Sequence, residues 1–248
     1  ALTGAAPIPP QIVRYFRTLG VPLLEVYGLT ESTGMILGQH PLRAMPGTVG
    51  EPTLGVAWKL GAHDELLVRG DMVFVGYYKS PEQTAAAFAD GWLRTGDVVA
   101  ESHGALRIVD RLKDIMITAG GKNLTPSEIE NTAKASPYIK ECIVIADGRR
   151  YVSALIQIEF DTVAKWAESQ GIAFTHFRSL AENDAVRALI AGEIEQANRQ
   201  LSQVANIRRF HLLTKELDHD DGEVTATMKV RRASIYAAYA AQIEALYA

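Results

Sequence analysis

Cysteine is almost missing: Cys142 is the only one in 248 residues. One thiol builds neither an internal disulfide framework nor a cysteine-rich zinc site, and it suits a reducing compartment. No stretch approaches the roughly 18 consecutive apolar residues of a membrane-spanning helix. Mean hydropathy is +0.01, so no transmembrane segment is expected, which leaves peripheral membrane association open. Neither sign of charge dominates: 25 Lys and Arg stand against 29 Asp and Glu, a net charge of −4. A nucleic-acid partner is therefore not expected. There is no initiator methionine, and no basic segment precedes an apolar one, so no signal peptide is read. Ala1-Leu2-Thr3-Gly4 reads as the middle of a longer chain. There is no internal repeat and no low-complexity tract. What is present is ordinary for a soluble, cytoplasmic protein: 48% hydrophobic and 22% charged residues, at a length that allows one large or two smaller domains.

Punctuation and periodicity divide the chain. Residues 8–20 carry a helical pattern, with Pro9 and Pro10 at a helix start, Ile12, Phe16 and Leu19 at helical spacing, and Gly20 as the stop. Leu23-Leu24-Glu25-Val26-Tyr27 reads as a buried strand ending at Gly28. Between 46 and 110, glycines and prolines separate short strand-like runs (65–69, 72–75 and 105–109), which predicts a small antiparallel sheet or barrel. One helix should interrupt it, starting at Ser80-Pro81 and running to about Phe88. Beyond Asp110 the pattern turns α+β. A strand over 115–118 precedes Gly120-Gly121, and Thr125-Pro126-Ser127-Glu128 has the form of a capping box. Strand-like runs follow at 141–146, 152–158 and 207–213. Amphipathic helices are expected over 184–201 and about 232–247, the second with Ile235, Tyr239, Ile243 and Leu246 on one face.

Several segments admit both a chemical and a purely structural reading. After Tyr27-Gly28-Leu29, Thr30 offers a hydroxyl to a phosphate oxygen and Glu31 a hard oxygen to Mg²⁺, or the pair caps a helix. Asp97, in Thr95-Gly96-Asp97, can accept two hydrogen bonds from a ribose diol, or belongs to a polar turn. Asp110-Arg111-Leu112-Lys113-Asp114 reads as an interdomain linker or a solvated turn. Gly120-Gly121-Lys122-Asn123 fails as a phosphate-binding P-loop, because Met116 stands where a glycine is needed and Asn123 where Ser or Thr is needed. It remains a tight turn over which a ligand could pass close to the backbone. The stretch from Asp218 to Glu223 fails as a calcium loop, with Gly222 in the fifth position and Lys229 in the twelfth, and reads as a surface turn. Lys229, after Thr225-Ala226-Thr227-Met228, begins a basic surface helix or supplies a mobile positive charge to a reacting phosphate.

The order of these segments resembles the adenylate-forming superfamily of acyl-CoA synthetases, peptide-synthetase adenylation domains and luciferases. The resemblance rests on Gly4-Ala5-Ala6-Pro7, Tyr27-Gly28-Leu29-Thr30-Glu31, residues 65–70 with Gly76-Tyr77-Tyr78, and Gly91-Trp92-Leu93-Arg94-Thr95-Gly96-Asp97. It continues with Asp110-Arg111-Leu112-Lys113-Asp114, Gly120-Gly121-Lys122-Asn123 and residues 222–232, so it spans nearly the whole chain. The ending Gly222-Glu223-Val224-Thr225-Ala226-Thr227-Met228-Lys229 and the long stretch over 160–206 are most similar to the long-chain fatty-acid–CoA ligases.

This resemblance implies an α+β protein. Residues 1–110 would be the C-terminal portion of the large AMP-binding domain, with a small barrel-like subdomain. Residues 111–248 would be a small mobile C-terminal domain with a helical insertion near 160–206. The implied reaction joins a fatty acid to ATP to give an acyl-adenylate, then transfers the acyl group to CoA, using Mg²⁺ and releasing AMP. Gly4, Ala5, Ala6, Pro7 and Tyr27 with Gly28 would border the adenine. Thr30 would contact phosphate, Glu31 would hold Mg²⁺, and Asp97 and Arg111 would grip the ribose. Lys229 would stabilise the α-phosphate in the first step. Asp110 would be the hinge on which the small domain rotates to bring Gly120 and Gly121 to the thioester-forming site. The superfamily's Thr/Ser/Gly-rich phosphate loop is absent here and belongs upstream of Gly4, so the chain alone is expected to lack ligase activity. Two alternatives stay open: another adenylate-former (an aryl or short-chain ligase, or an acyl-AMP ligase), and a non-catalytic nucleotide- or CoA-binding fragment. A truncated Rossmann protein is excluded by the missing glycine fingerprint.

Overall fold

The computed structural model describes residues 1–226 and 228–248. They form two compact units, Ala1–Ile115 and Met116–Ala248.

The first unit opens with β1 (Leu2–Thr3) and α1 (Pro10–Thr18). Proline at the first helical position costs nothing, because its missing N–H would have had no partner. Gly20 takes the left-handed conformation (φ +83°) just past the helix end. The expected helix is present, but its buried residue is Val13, whereas Ile12, Phe16 and Leu19 are exposed. Next come β2 (Leu24–Leu29), β3 (Gly34–Gly38) and β4 (Glu51–Pro52), which with β1 make a sheet of order β1-β2-β3-β4. β1 lies parallel to β2, as a strand joined through a crossover helix can.

A second sheet follows from β5 (Ala57–Leu60), β6 (Glu65–Arg69), the short helix α2 (Pro81–Ala86), β7 (Phe88–Ala89), β8 (Trp92–Ser102) and β9 (Ala105–Arg111). Its pairings are all antiparallel, in the order β5-β6-β8-β7 with β9 also on β8. Ile36, Leu37, Leu66, Val68, Leu93, Val99 and Leu106 fill the core of this unit.

The strand expected over 72–75 does not form. The Val73 amide closes a turn onto the Gly70 carbonyl at 3.1 Å. Phe74 packs against Tyr77 and Phe88 at ring separations of 4.8 and 5.8 Å. Val75 projects fully into solvent. An apolar run without a paired neighbour is satisfied here by a turn and aromatic contacts. α2 also starts without a Ser80 side-chain cap, and ends at Ala86, two residues before Phe88.

The second unit begins with a small hairpin, β10 (Met116–Ile117) and β11 (Asn123–Leu124), then α3 (Pro126–Ala133). The expected capping box is not made: Thr125 gives no side-chain cap bond. Then come β12 (Ile139–Ile145), β13 (Val152–Ile158), α4 (Phe160–Ser169), α5 (Phe177–Ala181), α6 (Asp184–Asn198), β14 (Ile207–Leu212), α7 (Arg232–Ala238) and α8 (Ala240–Ala245). The sheet order is β12-β13-β14, antiparallel then parallel. Every residue of central β13 is buried, as a strand covered on both faces requires.

Alternation along β12 sorts its side chains between two cores. Cys142 and Val144 join Ile129, Ile190 and Ile194 on one face, while Ile143 and Ile145 join Ile235, Tyr239 and Ile243 on the other. α6 has a cap the sequence reading did not use: Asn183 Oδ1 accepts from the Ala185 and Val186 amides. The last helix is two, broken at Tyr239 (φ −109°, ψ 23°), yet Ile235, Tyr239, Ile243 and Leu246 are all buried.

Candidate active site

In the first unit the chemistry-bearing residues stand on, or just after, paired strands. A Cβ on Gly28 would lie 1.7 Å from the Gly34 carbonyl oxygen, so only glycine lets β2 and β3 approach this closely. Thr30–Ser32 is a single 3₁₀ turn after β2. Buried Ser32 closes it, its Oγ accepting from the Leu29 amide (2.9 Å) and donating to the Leu29 carbonyl (3.0 Å). The turn leaves Thr30 exposed and Glu31 half-buried. The Glu31 carboxylate accepts from the Tyr77 hydroxyl at 2.7 Å, and its backbone carbonyl accepts from the Phe74 amide at 2.8 Å. That hydrogen bond to a carboxylate pushes the Tyr77 phenol pKa up.

Asp97 is set by its own strand. Gly96 has φ +70°, and its amide donates to Glu65 Oε1 at 3.1 Å. Arg94 binds the other Glu65 oxygen at 3.0 Å. The Thr95 hydroxyl donates to the Leu66 carbonyl (2.8 Å) and accepts from the Asp97 amide (3.1 Å). The Asp97 side chain is buried between two of the residues assigned to the nucleotide. Tyr27 donates its hydroxyl to Oδ2, and Arg111 Nε stands 2.7 Å from Oδ1. Arg111 is the register partner of Asp97 across β8 and β9. Burial pushes the Tyr27 phenol far above its ordinary range, and the Asp97 charge adds to this. Burial also raises the Asp97 carboxyl, opposed by the Tyr27 hydrogen bond and by Arg111.

Gly4, Ala5, Ala6 and Pro7 form an exposed segment directly after β1. Gly4 lies against Val26, whose carbonyl oxygen would sit 2.9 Å from a Cβ there, and Ala5 has φ +68°. Asp110 is buried and accepts from the Arg111 amide at 2.8 Å.

In the second unit Gly120 and Gly121 make the exposed turn between β10 and β11. Gly121 has φ +73° and donates to the Thr118 carbonyl at 2.8 Å. Lys229 sits in a small hairpin rather than at a helix start. Its carbonyl accepts from the Thr225 amide (2.8 Å), its amide donates to Thr225 Oγ1 (3.0 Å), and Val224 bridges to Val230. Thr227 of the same segment lies outside the described residues. Glu223 is not the solvated turn residue that the sequence suggests but a buried acceptor.

The structure thus joins Tyr27, Asp97 and Arg111 in one cluster, and adds Tyr77 to Glu31. In the sequence, Gly76-Tyr77-Tyr78 carries no signal of a role for Tyr77, and Glu65 reads as an ordinary strand residue. No local spacing signals either contact, since Tyr77 and Glu31 are 46 positions apart. Among the described residues no group of three or more His, Cys, Asp or Glu could hold a metal. A Mg²⁺ carried by substrate phosphates needs only about one or two protein carboxylates, and Glu31 beside the exposed Thr30 hydroxyl fits that donor set.

Residues 113–248, more than half of the sequence, match the AMP-binding enzyme C-terminal domain, and residues 1–78 match the AMP-binding enzyme domain. The chain belongs to the AMP-binding enzyme family. Among similar proteins of this family is the putative fatty-acid–CoA ligase fadD11 of Mycobacterium tuberculosis, 41% identical over 251 residues, covering 100% of this chain and 44% of that protein. Long-chain-fatty-acid–CoA ligase FadD15 of Mycobacterium bovis is 36% identical, covering 100% of the chain and 42% of that ligase. The chain therefore spans less than half the length of these AMP-binding relatives. Among solved structures, the adenylation domain of the carboxylate reductase GR01_22995 from Mycobacterium chelonae superposes with TM-score 0.80 at 26% identity, covering 100% of this chain and 38% of that one. No helix among the described residues is long and apolar enough to cross a membrane.

Proposed function

We propose that the whole protein activates a fatty acid in two steps on one site. A carboxylate oxygen of the fatty acid attacks the α-phosphorus of ATP. The bond to the bridging oxygen of the β-phosphate breaks, and pyrophosphate leaves. The sulfur of CoA then attacks the acyl carbon of the adenylate, the bond to the phosphate oxygen breaks, AMP leaves, and the thiol proton passes to solvent. The observation that carries this reading is the buried Asp97, held by the Tyr27 hydroxyl and by Arg111 at 2.7 Å, in a chain 41% identical to a putative fatty-acid–CoA ligase.

Each Asp97 oxygen keeps a lone pair beyond its present partner, so the carboxylate can accept from a ribose diol while Arg111 holds its orientation. Gly4, Ala5, Ala6, Pro7 and Tyr27 with Gly28 border the adenine in this reading. Thr30 donates its hydroxyl to a phosphate oxygen. Glu31, oriented by Tyr77, would hold Mg²⁺, which supplies charge neutralisation at the phosphates. Lys229 places a positive charge against the charge that develops on the α-phosphate. The exposed Gly120-Gly121 backbone serves the thioester-forming step, and Asp110 is the hinge.

Pyrophosphate release with ATP, Mg²⁺ and palmitate, together with CoA-dependent AMP release, tests the proposal on the whole protein. Turnover by the whole protein, and none by the present chain alone, is expected. Asp97→Ala should weaken AMP binding by about 10-fold or more, by loss of charge-assisted hydrogen bonds. Calorimetry that finds AMP affinity indifferent to Asp97 would overturn the ribose assignment.

A further inference from the structure

Lys229 lies on a short loop, and what holds that loop is unusual. Two separate buried carboxylates grip its two stems. At the entry, Glu223 Oε2 accepts from Lys215 Nζ (2.7 Å) and from the Asp218 amide (3.1 Å), and Oε1 accepts from the Tyr239 hydroxyl (3.2 Å). At the exit, three residues past Lys229, the Arg232 guanidinium meets both Glu130 oxygens at 2.6 and 2.7 Å. Glu130 lies on α3, 102 positions away, and its Oε1 also accepts from the Val144 amide (2.9 Å). Arg232 donates in turn to the Val144 carbonyl (3.4 Å), which also accepts from the Tyr236 hydroxyl (2.8 Å). Between the stems the Arg231 amide bonds the Glu223 carbonyl (2.8 Å), and Met228 adopts a left-handed backbone (φ +60°).

Nη2 meets both Glu130 oxygens while Nη1 donates to the Val144 carbonyl, so the planar guanidinium forks between two acceptors, which fixes its direction as well as its distance. A pair serving only to attach α7 to the sheet could be apolar, since replacing a buried ion pair by packed hydrophobic residues is often neutral or stabilising. An apolar contact would hold the helix but not the angle at which the preceding residues leave it.

We propose that the Glu130–Arg232 fork, with Glu223 at the other stem, is a positioning device that presents the Lys229 ammonium to the reacting phosphate. The proposal rests on the reading of Lys229 given above. Glu130, Arg232 and Glu223 touch no substrate in it; they act through Lys229. Their loss should therefore harm only the half-reaction that uses Lys229.

The experiment compares, in the whole protein, two rates for Glu130→Gln, Arg232→Lys and Lys229→Ala. One is acid-dependent exchange of pyrophosphate into ATP; the other is thioester formation from supplied acyl-adenylate and CoA. Lys229→Ala should abolish exchange and spare thioester formation. Glu130→Gln should lower exchange by up to about 100-fold, the effect of misplacing a reacting group by an ångström, while thioester formation keeps its wild-type rate. Arg232→Lys, which keeps the charge on Glu130 and loses the second contact, to the Val144 carbonyl, should fall between. If the single variants do not fold, the doubly apolar Glu130→Met/Arg232→Leu protein provides the test, with folding checked by its thermal transition. It should fold and show the same selective loss. Equal losses in both half-reactions, or wild-type exchange in a folded fork variant, overturn the positioning role. Wild-type exchange in Lys229→Ala overturns the underlying assignment of Lys229 and the fork's role with it. Loss in Lys229→Ala with none in the fork variants overturns the fork alone.

Discussion

Tyr27 and Asp97 show how one contact ties residue chemistry to stability. The Tyr27 hydroxyl donates to a buried carboxylate, and burial holds its pKa far above the ordinary value. The folded chain therefore keeps a proton that the unfolded chain gives up near pH 10. The sign follows: Tyr27 contributes stability that is fully present below about pH 10 and is lost as the pH rises above it. Tyr27→Phe should cost about 1.5–3 kcal/mol at neutral pH, the usual worth of a hydrogen bond to a charged group. It should also flatten the fall of stability in alkali. Urea unfolding in a Trp166→Phe background, where Trp58 and Trp92 of the first unit report, measures both effects at neutral and alkaline pH. The other eight of the nine tyrosines are common to both proteins, so the difference in slope belongs to Tyr27. Parallel slopes for the two proteins would refute the argument.

At the scale of the element, Gly28 separates a conformational glycine from a steric one. Gly28→Ala should cost about 4 kcal/mol or more, because the clash at 1.7 Å is with backbone that cannot step aside. Gly20→Ala meets nothing within 4 Å and pays only for its left-handed backbone, about 1 kcal/mol. The same urea experiment ranks them, and a Gly28→Ala midpoint equal to that of Gly20→Ala would show that β2 and β3 can separate freely. Much of the element pattern was legible because burial writes its own period. Val186, Leu189, Ile190, Ile194, Ala197 and Leu201 recur at three- and four-residue spacing as one face of the helix expected over 184–201; Val186, Ile190, Ile194 and Ala197 are buried, and Leu189 and Leu201 are half-buried. Where burial did not decide, the reading failed. The run 72–75 looked like a strand, but a strand needs a partner edge, and aromatic packing of Phe74 took its place. Thr125 had the spacing of a capping box and makes no cap bond, whereas Asn183 does cap α6. Of the candidate site, Tyr27, Asp97 and Arg111 were named and are in contact, while Tyr77 and Glu65 were missed. Arg111 meets Asp97 by register across β8 and β9, whereas Tyr27 and Asp97 stand in different sheets and Tyr77 lies outside the strands, so no local window of sequence contains these contacts.

For the whole molecule, the decisive fact is how its cores are composed. The buried residues of one core run from Ile36 to Leu106, and those of two others from Met116 to Leu246. A domain needs its own core more than it needs its neighbour, so residues 116–248 should fold alone. The fully buried side chains of that unit, among them Ile129, Ile143, Leu155, Ile156, Ile158, Leu180, Ile190 and Leu213, fall in cores built from residues of the same unit. The first unit is in a different position. Its helix α1 carries Ile12, Tyr15, Phe16 and Leu19 exposed, and Leu2, Leu54, Val75 and Tyr78 are exposed as well. Apolar surface of that kind marks an interaction face or an aggregation liability. Expressed separately, residues 116–248 should give a dispersed amide spectrum and a cooperative thermal transition, whereas residues 1–115 should associate as concentration rises. Within the second unit, Ile190→Ala should lower stability by about 2–5 kcal/mol whether or not the first unit is present. A broad, non-cooperative melt of residues 116–248, or an Ile190→Ala cost that changes when residues 1–115 are removed, would show that the second core depends on the first unit after all.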